Sequence, residues 1–154
     1  MNVRELNRVY FIGVGGIGMS AIARFFNEQG ATVKGYDKTP TDLTRALLKE
    51  GVDVHYTDDV SLVDKEAQLV VYTPAIPADH KELNWYRDNG YQVFKRSDVL
   101  QWITEALFSV TVAGTHGKTT ISTMIAYLLR EAGFGCNAFL GDVAVNYDSN
   151  YWSG

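Results

Sequence analysis

Short β-branched or aromatic runs alternate with stretches of helical spacing along most of this 154-residue chain. Residues 8–12 (RVYFI) read as a first strand, ended by the glycines of GVGGIGMS. Beyond them Met19, Ile22, Ala23 and Phe26 recur at the spacing of one helix face, with Gly30 placed as the stop. The alternation continues with a strand at 32–36, a helix at 41–50 with Thr41 as its cap and Gly51 as its stop, and a short strand at 52–56. A stronger strand at 69–72 (LVVY) leads into TPAIPADH, whose prolines forbid a helix until about His80. A helix at 81–89, a strand at 91–94 and a helix at 97–107, capped by Ser97, complete the series. Such alternation predicts an α/β fold, a Rossmann-like parallel sheet with helices on both faces, forming one domain over residues 1–107.

A second unit starts after residue 107. Residues 110–113 (VTVA) read as a buried strand running into the turn GTHGKTT, and residues 119–131 place Ile121, Met124, Ile125, Leu128 and Leu129 at helical spacing. This is the first strand-loop-helix of a P-loop ATPase domain. Its turn is GxxGK[ST], shorter than the usual GxxxxGK[ST], because Val112 stands where the first glycine would be. Lys118 and Thr119 then open a helix, where free N–H groups favour an anion, the ammonium reaches outer phosphates and the hydroxyl is placed to hold Mg²⁺. A bare GK[ST] also fits a tight turn with a merely solvated lysine; the flanking strand and helix favour the phosphate loop. Only residues 136–140 offer this unit another strand, and the final GDVAVNYDSNYWSG has no period and predicts no structure. Residues 108–154 are therefore expected to be the incomplete start of a central ATP-binding domain, with the chain cut inside it.

Composition narrows the classes. The chain is 46% apolar and 21% charged, as ordinary globular proteins are, and its net charge of −4 with scattered basic residues speaks against nucleic-acid binding. The N-terminal apolar run is too short for a membrane span or signal peptide, so no membrane partner is expected. The lone Cys136 fits a reducing, cytoplasmic location and reads as a small apolar residue.

The first glycine loop carries rival readings. Gly13, Gly15 and Gly18 match GxGxxG after a strand and before a helix, with Asp37 at the end of the next strand, which alone suggests an NAD-dependent oxidoreductase. In that reading Gly15 admits a pyrophosphate, Gly18 allows close helix–strand packing, and Asp37 accepts from a ribose hydroxyl. The added Gly16 and Ser20 suit any diphosphate. A non-catalytic nucleotide sensor is a third class.

Taken in order, FIGVGGIGMSAIA, the GxD of Gly35 to Asp37, YTPAIP, KRSDVL and VAGTHGKTT resemble the Mur ligases of peptidoglycan synthesis over nearly the whole chain. The resemblance implies an ATP-dependent ligase in which the N-terminal domain holds a UDP-sugar, here UDP-N-acetylmuramate, and no nicotinamide is used. It implies that Gly13, Gly15, Gly16, Gly18, Met19 and Ser20 cradle the diphosphate and that Asp37, Thr73, Ala75 and Ile76 line the uridine side. Arg96 joins them, although SDVL here departs from the family's pattern after it. Gly114, Thr115, His116, Gly117, Lys118, Thr119 and Thr120 would form the ATP loop, with Lys118, Thr119 and His116 catalytic and Thr119 a ligand of Mg²⁺. His116 leans toward the branches that add L-alanine or recycle a murein tripeptide; a loop histidine bonded to backbone is the other reading. The L-alanine site, the acidic metal ligand and the C-terminal domain would lie beyond residue 154.

Overall fold

The computed structural model describes residues 3–145 and 147–154. Five strands, β1 (Arg8–Ile12), β2 (Thr32–Tyr36), β3 (Asp53–His55), β4 (Leu69–Tyr72) and β5 (Val93–Lys95), form one parallel sheet in the order β3-β2-β1-β4-β5. Helices α1 (Ile17–Glu28), α2 (Asp42–Lys49), α3 (Lys81–Asp88) and α4 (Arg96–Glu105) follow four of these strands. The predicted α/β alternation is realised, with boundaries moved by one or two residues. At α4 the movement has a chemical cause: Asp98 accepts from the Lys95 amide at 3.1 Å, so the helix opens at Arg96 and the Ser97 hydroxyl turns to Asp98 instead of capping.

Alternation along β1 sends its side chains into two cores. Val9 and Phe11 pack with Phe26 of α1, Leu47 of α2 and Val99 and Ile103 of α4, while Tyr10 and Ile12 pack with Leu83 and Tyr86 of α3 on the opposite face. Helices therefore cover both faces. Strand order reverses between β1 and β4, and the loops that follow these two strands open at that point, where open α/β sheets bind ligands.

The chain beyond residue 107 departs from expectation. Residues 110–113 form no strand and are largely exposed, because a strand needs a hydrogen-bonding neighbour and none pairs with them among the described residues. Helix α5 (Lys118–Glu131) forms as its spacing predicts. The segment expected to lack structure is an antiparallel hairpin, β6 (Ala138–Ala144) and β7 (Ser149–Trp152), and β6 runs on past the expected strand at 136–140. The hairpin lies on the side of α1 away from the sheet: Phe25 meets Phe139 at 5.7 Å and Tyr151 at 6.4 Å between ring centroids. Helix α1 is thereby enclosed, and Met19 through Phe26 are all buried.

Candidate functional site

The loop between β1 and α1 is held by backbone and carboxylate together. The amides of Gly13 and Val14 donate to the Tyr36 carbonyl at 2.8 and 3.0 Å, and Gly15 N donates to Asp37 Oδ2 at 2.7 Å. A Cβ at Gly15 would stand 2.6 Å from Thr44 Cγ2 and 2.8 Å from Asp37 Oδ2, so this glycine is required by its own neighbours. Gly13 has φ +88°, and a Cβ there would lie 2.6 Å from Thr73 Cγ2. Asp37 also accepts from Thr39 N at 3.2 Å. Its first role here is thus to fix the loop, and the lone pairs left over are what a ribose hydroxyl would meet.

Gly18 serves a different purpose from the predicted helix–strand contact. A Cβ on it would stand 3.0 Å from Arg96 Nη1, so its lack of a side chain makes room for the guanidinium that opens α4. Gly16, Gly18, Met19, Thr73 and Arg96 line one cleft of about 450 Å³, closed on its far side by Leu100 of α4 and by Phe139, Leu140 and Gly141 of β6. The amides of Met19 and Ser20 are used by Gly16 O at 3.0 and 2.9 Å, while those of Ile17 and Gly18 have no partner among the described residues. A helix N-terminus with two free N–H groups beside an arginine is an anion site.

Ser20 departs from its predicted place in the cradle. Its side chain is fully buried, donating to Ile17 O at 3.0 Å and accepting from Asn150 Nδ2 at 2.9 Å. Here β7 brings Asn150 over it. Ile76 lies beside Gly13, and Ala75 is exposed on the 73–80 loop; neither lines the cleft.

The second loop, residues 114–120, is exposed apart from half-buried Thr119. Gly117 caps α5 with φ +76°, and the Lys118 ammonium folds back onto Gly114 O at 2.7 Å. His116 Nδ1 lies 3.2 Å from Thr115 Oγ1. The loop is open at a helix N-terminus and carries a cation, as an outer phosphate requires. The predicted metal ligand Thr119 offers a hydroxyl, and no cluster of three acidic, histidine or cysteine side chains exists among the described residues. The two loops meet through β6. A Cβ on Gly141, which lines the first cleft, would stand 2.9 Å from Thr119 Oγ1.

Sequence reasoning missed the contribution of β6 and β7 to the cleft. One signal was available: Ala21 and Phe25 lie off the predicted face of α1 yet are apolar, the mark of a helix buried all round.

A glycine loop at the switch point of a parallel sheet, with free helix N–H groups and an arginine, defines a nucleotide-binding α/β domain. Residues 8–107 match the family described as Mur ligase family, catalytic domain, and the chain belongs to the Mur ligase family. It is 53% identical over 155 residues to the UDP-N-acetylmuramate–L-alanine ligase of Cytophaga hutchinsonii, a match covering 97% of this chain and 33% of the relative. The solved UDP-N-acetylmuramate-alanine ligase of Thermotoga maritima superposes with a TM-score of 0.87 at 29% identity, over 96% of this chain and 35% of that one. A UDP-N-acetylmuramate:L-alanyl-gamma-D-glutamyl-meso-diaminopimelate ligase from Neisseria meningitides gives 0.82 at 26% identity, over 95% and 46%. The chain spans about a third of the length of the curated relatives it matches.

Proposed function

We propose that this chain is the UDP-N-acetylmuramate-binding part, with the opening of the ATP-binding part, of a cytoplasmic ligase that joins L-alanine to UDP-N-acetylmuramate. Residues 1–107 form the sugar-nucleotide domain and residues 108–154 begin the ATP domain. The observation that carries this reading is the cleft in which the free amides of Ile17 and Gly18 and the Arg96 guanidinium converge at the switch point. These groups suit a diphosphate, and the relatives' names supply the nucleotide. The reaction class is amide formation through an acyl phosphate: the sugar's lactyl carboxylate attacks the γ-phosphorus of ATP with loss of ADP, and the amine of L-alanine then displaces phosphate. Lys118 and the α5 N-terminus would orient and neutralise the phosphates of a bound ATP, and Thr119 would supply one oxygen to a Mg²⁺ ion that offsets their charge.

Calorimetry on the 154-residue chain tests the reading. UDP-N-acetylmuramate should bind, UDP more weakly, and NAD not measurably; Arg96→Ala should remove most of the UDP-sugar affinity while the fold persists. NAD binding more tightly than UDP-N-acetylmuramate would refute it in favour of an oxidoreductase.

A further inference from the structure

On the face of the sheet covered by α3, the buried side chains of Tyr10 and Glu82 and the half-buried ring of His55, from distant parts of the chain, form one hydrogen-bonded line. Tyr10 Oη of β1 lies 2.6 Å from His55 Nε2 of β3 and 2.7 Å from Glu82 Oε2 of α3. Their protons can be counted. His55 Nδ1 lies 2.9 Å from the Thr57 carbonyl, which only accepts, so Nδ1 carries a proton. Each of the two contacts at Tyr10 needs one proton between its heavy atoms, and the tyrosine hydroxyl supplies one. The second must sit on His55 Nε2 or on the Glu82 carboxyl. If both are deprotonated, the one tyrosine proton can serve only one contact, and the other, at His55 Nε2 or at the Glu82 carboxylate, sets two acceptors face to face at under 3 Å.

The surroundings favour keeping that proton. Glu82 is fully buried, and its other oxygen accepts from the Asp59 amide at 3.0 Å. Burial is the main cause that pushes the Glu82 carboxyl up to about 7; the carboxylates of Asp58 and Asp59 add to it, the bonds from Tyr10 and the Asp59 amide oppose it, and His55 Nε2 lies 3.6 Å from Oε1. His55 is pushed down, chiefly by its own burial, against the opposing pull of Asp53, Asp58 and Asp59. Asp53 is itself engaged with Lys34 of β2 at 3.4 Å. On the α3 side stand Tyr86, 5.0 Å from Tyr10 between ring centroids, and His80, paired with Asp58 at 3.3 Å. Lys81 acts on Asp59, and Asp79 on His80.

The line connects to the first glycine loop. The His55 carbonyl accepts from Asp37 N at 3.0 Å, and the Asp37 carboxylate accepts from Gly15 N. Tyr36, whose carbonyl holds Gly13 and Val14, packs its ring against both His55 and His80. We propose that Tyr10, His55 and Glu82 form a one-proton latch whose closed, protonated state sets the His55 backbone and, through Asp37, positions the Gly15 amide of the nucleotide loop. The three are positioning residues and touch no substrate.

NMR on the labelled 154-residue chain between pH 5 and 9 tests this without any ligand, so its outcome is independent of the substrate proposed above. The His55 ring carbons and the amides of Gly15 and Asp37 should move together with one midpoint near neutrality. Glu82→Gln keeps the second proton permanently, because its amide donates to Tyr10 Oη; the Gly15 and Asp37 amides should then hold their low-pH positions throughout. Tyr10→Phe should uncouple them, leaving a His55 titration that Gly15 no longer follows. Gly15 and Asp37 amides that stay fixed across the range in the parent, or that titrate in Glu82→Gln as they do in the parent, would overturn the proposal.

Discussion

Asn150 is the joint between the hairpin and the nucleotide domain, and its removal has a cost that the structure bounds. The side chain is fully buried; its Oδ1 accepts from Arg24 Nη1, and its Nδ2 donates to the Ile17 carbonyl and to Ser20 Oγ. Counting three bonds would overstate the loss in Asn150→Ala. Ser20 and Ile17 still satisfy each other at 3.0 Å, and Arg24 keeps Glu50 through Nε and Nη2 at 2.7 and 2.8 Å. What is stranded is one buried guanidinium N–H and a small cavity, together about 2–3 kcal/mol. For a chain of this length that lowers Tm by roughly 5–10 °C. The loss should be local as well: amides of β6 and β7 should exchange faster while those of β1 and β4 keep their protection. Asn150→Asp should cost about as much at pH 7, since an acceptor then faces the Ile17 carbonyl, and should recover in acid. Denaturant melts read the energy and hydrogen exchange reads the location. A variant within about 0.5 kcal/mol of the parent, with hairpin exchange unchanged, would show that Asn150 does not hold the hairpin on α1.

Three further outcomes are expected. Glu82 holds its proton up to about 7 in the folded chain and only to about 4.5 in the unfolded one, so the folded state binds more protons between these values. Its contribution to stability is therefore full below about 4.5, declines by up to about 3 kcal/mol as pH rises to 7, and is level above; urea melts at pH 5 and 8 should differ by less in Glu82→Gln than in the parent. Gly15→Ala should weaken UDP-N-acetylmuramate binding at least tenfold by calorimetry, since its Cβ meets Thr44 and Asp37, whereas Gly16→Ala, with nothing nearer than 3.6 Å, should leave the loop in place. Lys118→Ala should change the melting free energy by less than about 0.5 kcal/mol, because the exposed ammonium bonds only loop carbonyls, and yet, on the proposed function, should abolish ATP turnover in a full-length ligase that carries this loop.

The sheet was legible because its determinants are local. Each strand of the first unit is a short apolar run, each helix shows its face at helical spacing, and Gly30 and Gly51 fall just past helix ends as predicted. Of the candidate site, the positions of Gly13, Gly16, Gly18, Thr73 and Arg96 were readable from the glycine loop and from the family's motifs. Illegible were the features that depend on residues far apart in sequence. Nothing near Asp37 says that its carboxylate will be taken by Gly15, and nothing near Ser20 says that Asn150 will cover it. Residues 110–113 failed in the opposite direction: the local pattern is that of a buried strand, but strand formation is decided by a partner's N–H and C=O groups. The hairpin escaped notice because its two arms are short and irregular, with a register shift between Phe139 and Ala144, and it is held by packing on both α1 and α5.

That packing bears on how the two nucleotide loops are related. They lie at the starts of α1 and α5, about a hundred residues apart in sequence, and a flexible link would leave their separation undefined. Strand β6 removes that freedom from both sides at once. Phe139 is packed against Phe25 of α1, two residues further along β6 Gly141 lies against the Thr119 hydroxyl, and both residues line the cleft beside Arg96. A strand is stiff over such a distance, so a displacement of the hairpin on α1 is transmitted to Thr119. An acyl-phosphate reaction needs the sugar carboxylate and the γ-phosphate held within near-attack distance, an ordering worth up to about 7–11 kcal/mol in ideal cases. The buried contacts of Asn150 and Phe25 thus do more than stabilise a surface element: they fix the register between the cleft proposed for the sugar nucleotide and the loop proposed for ATP.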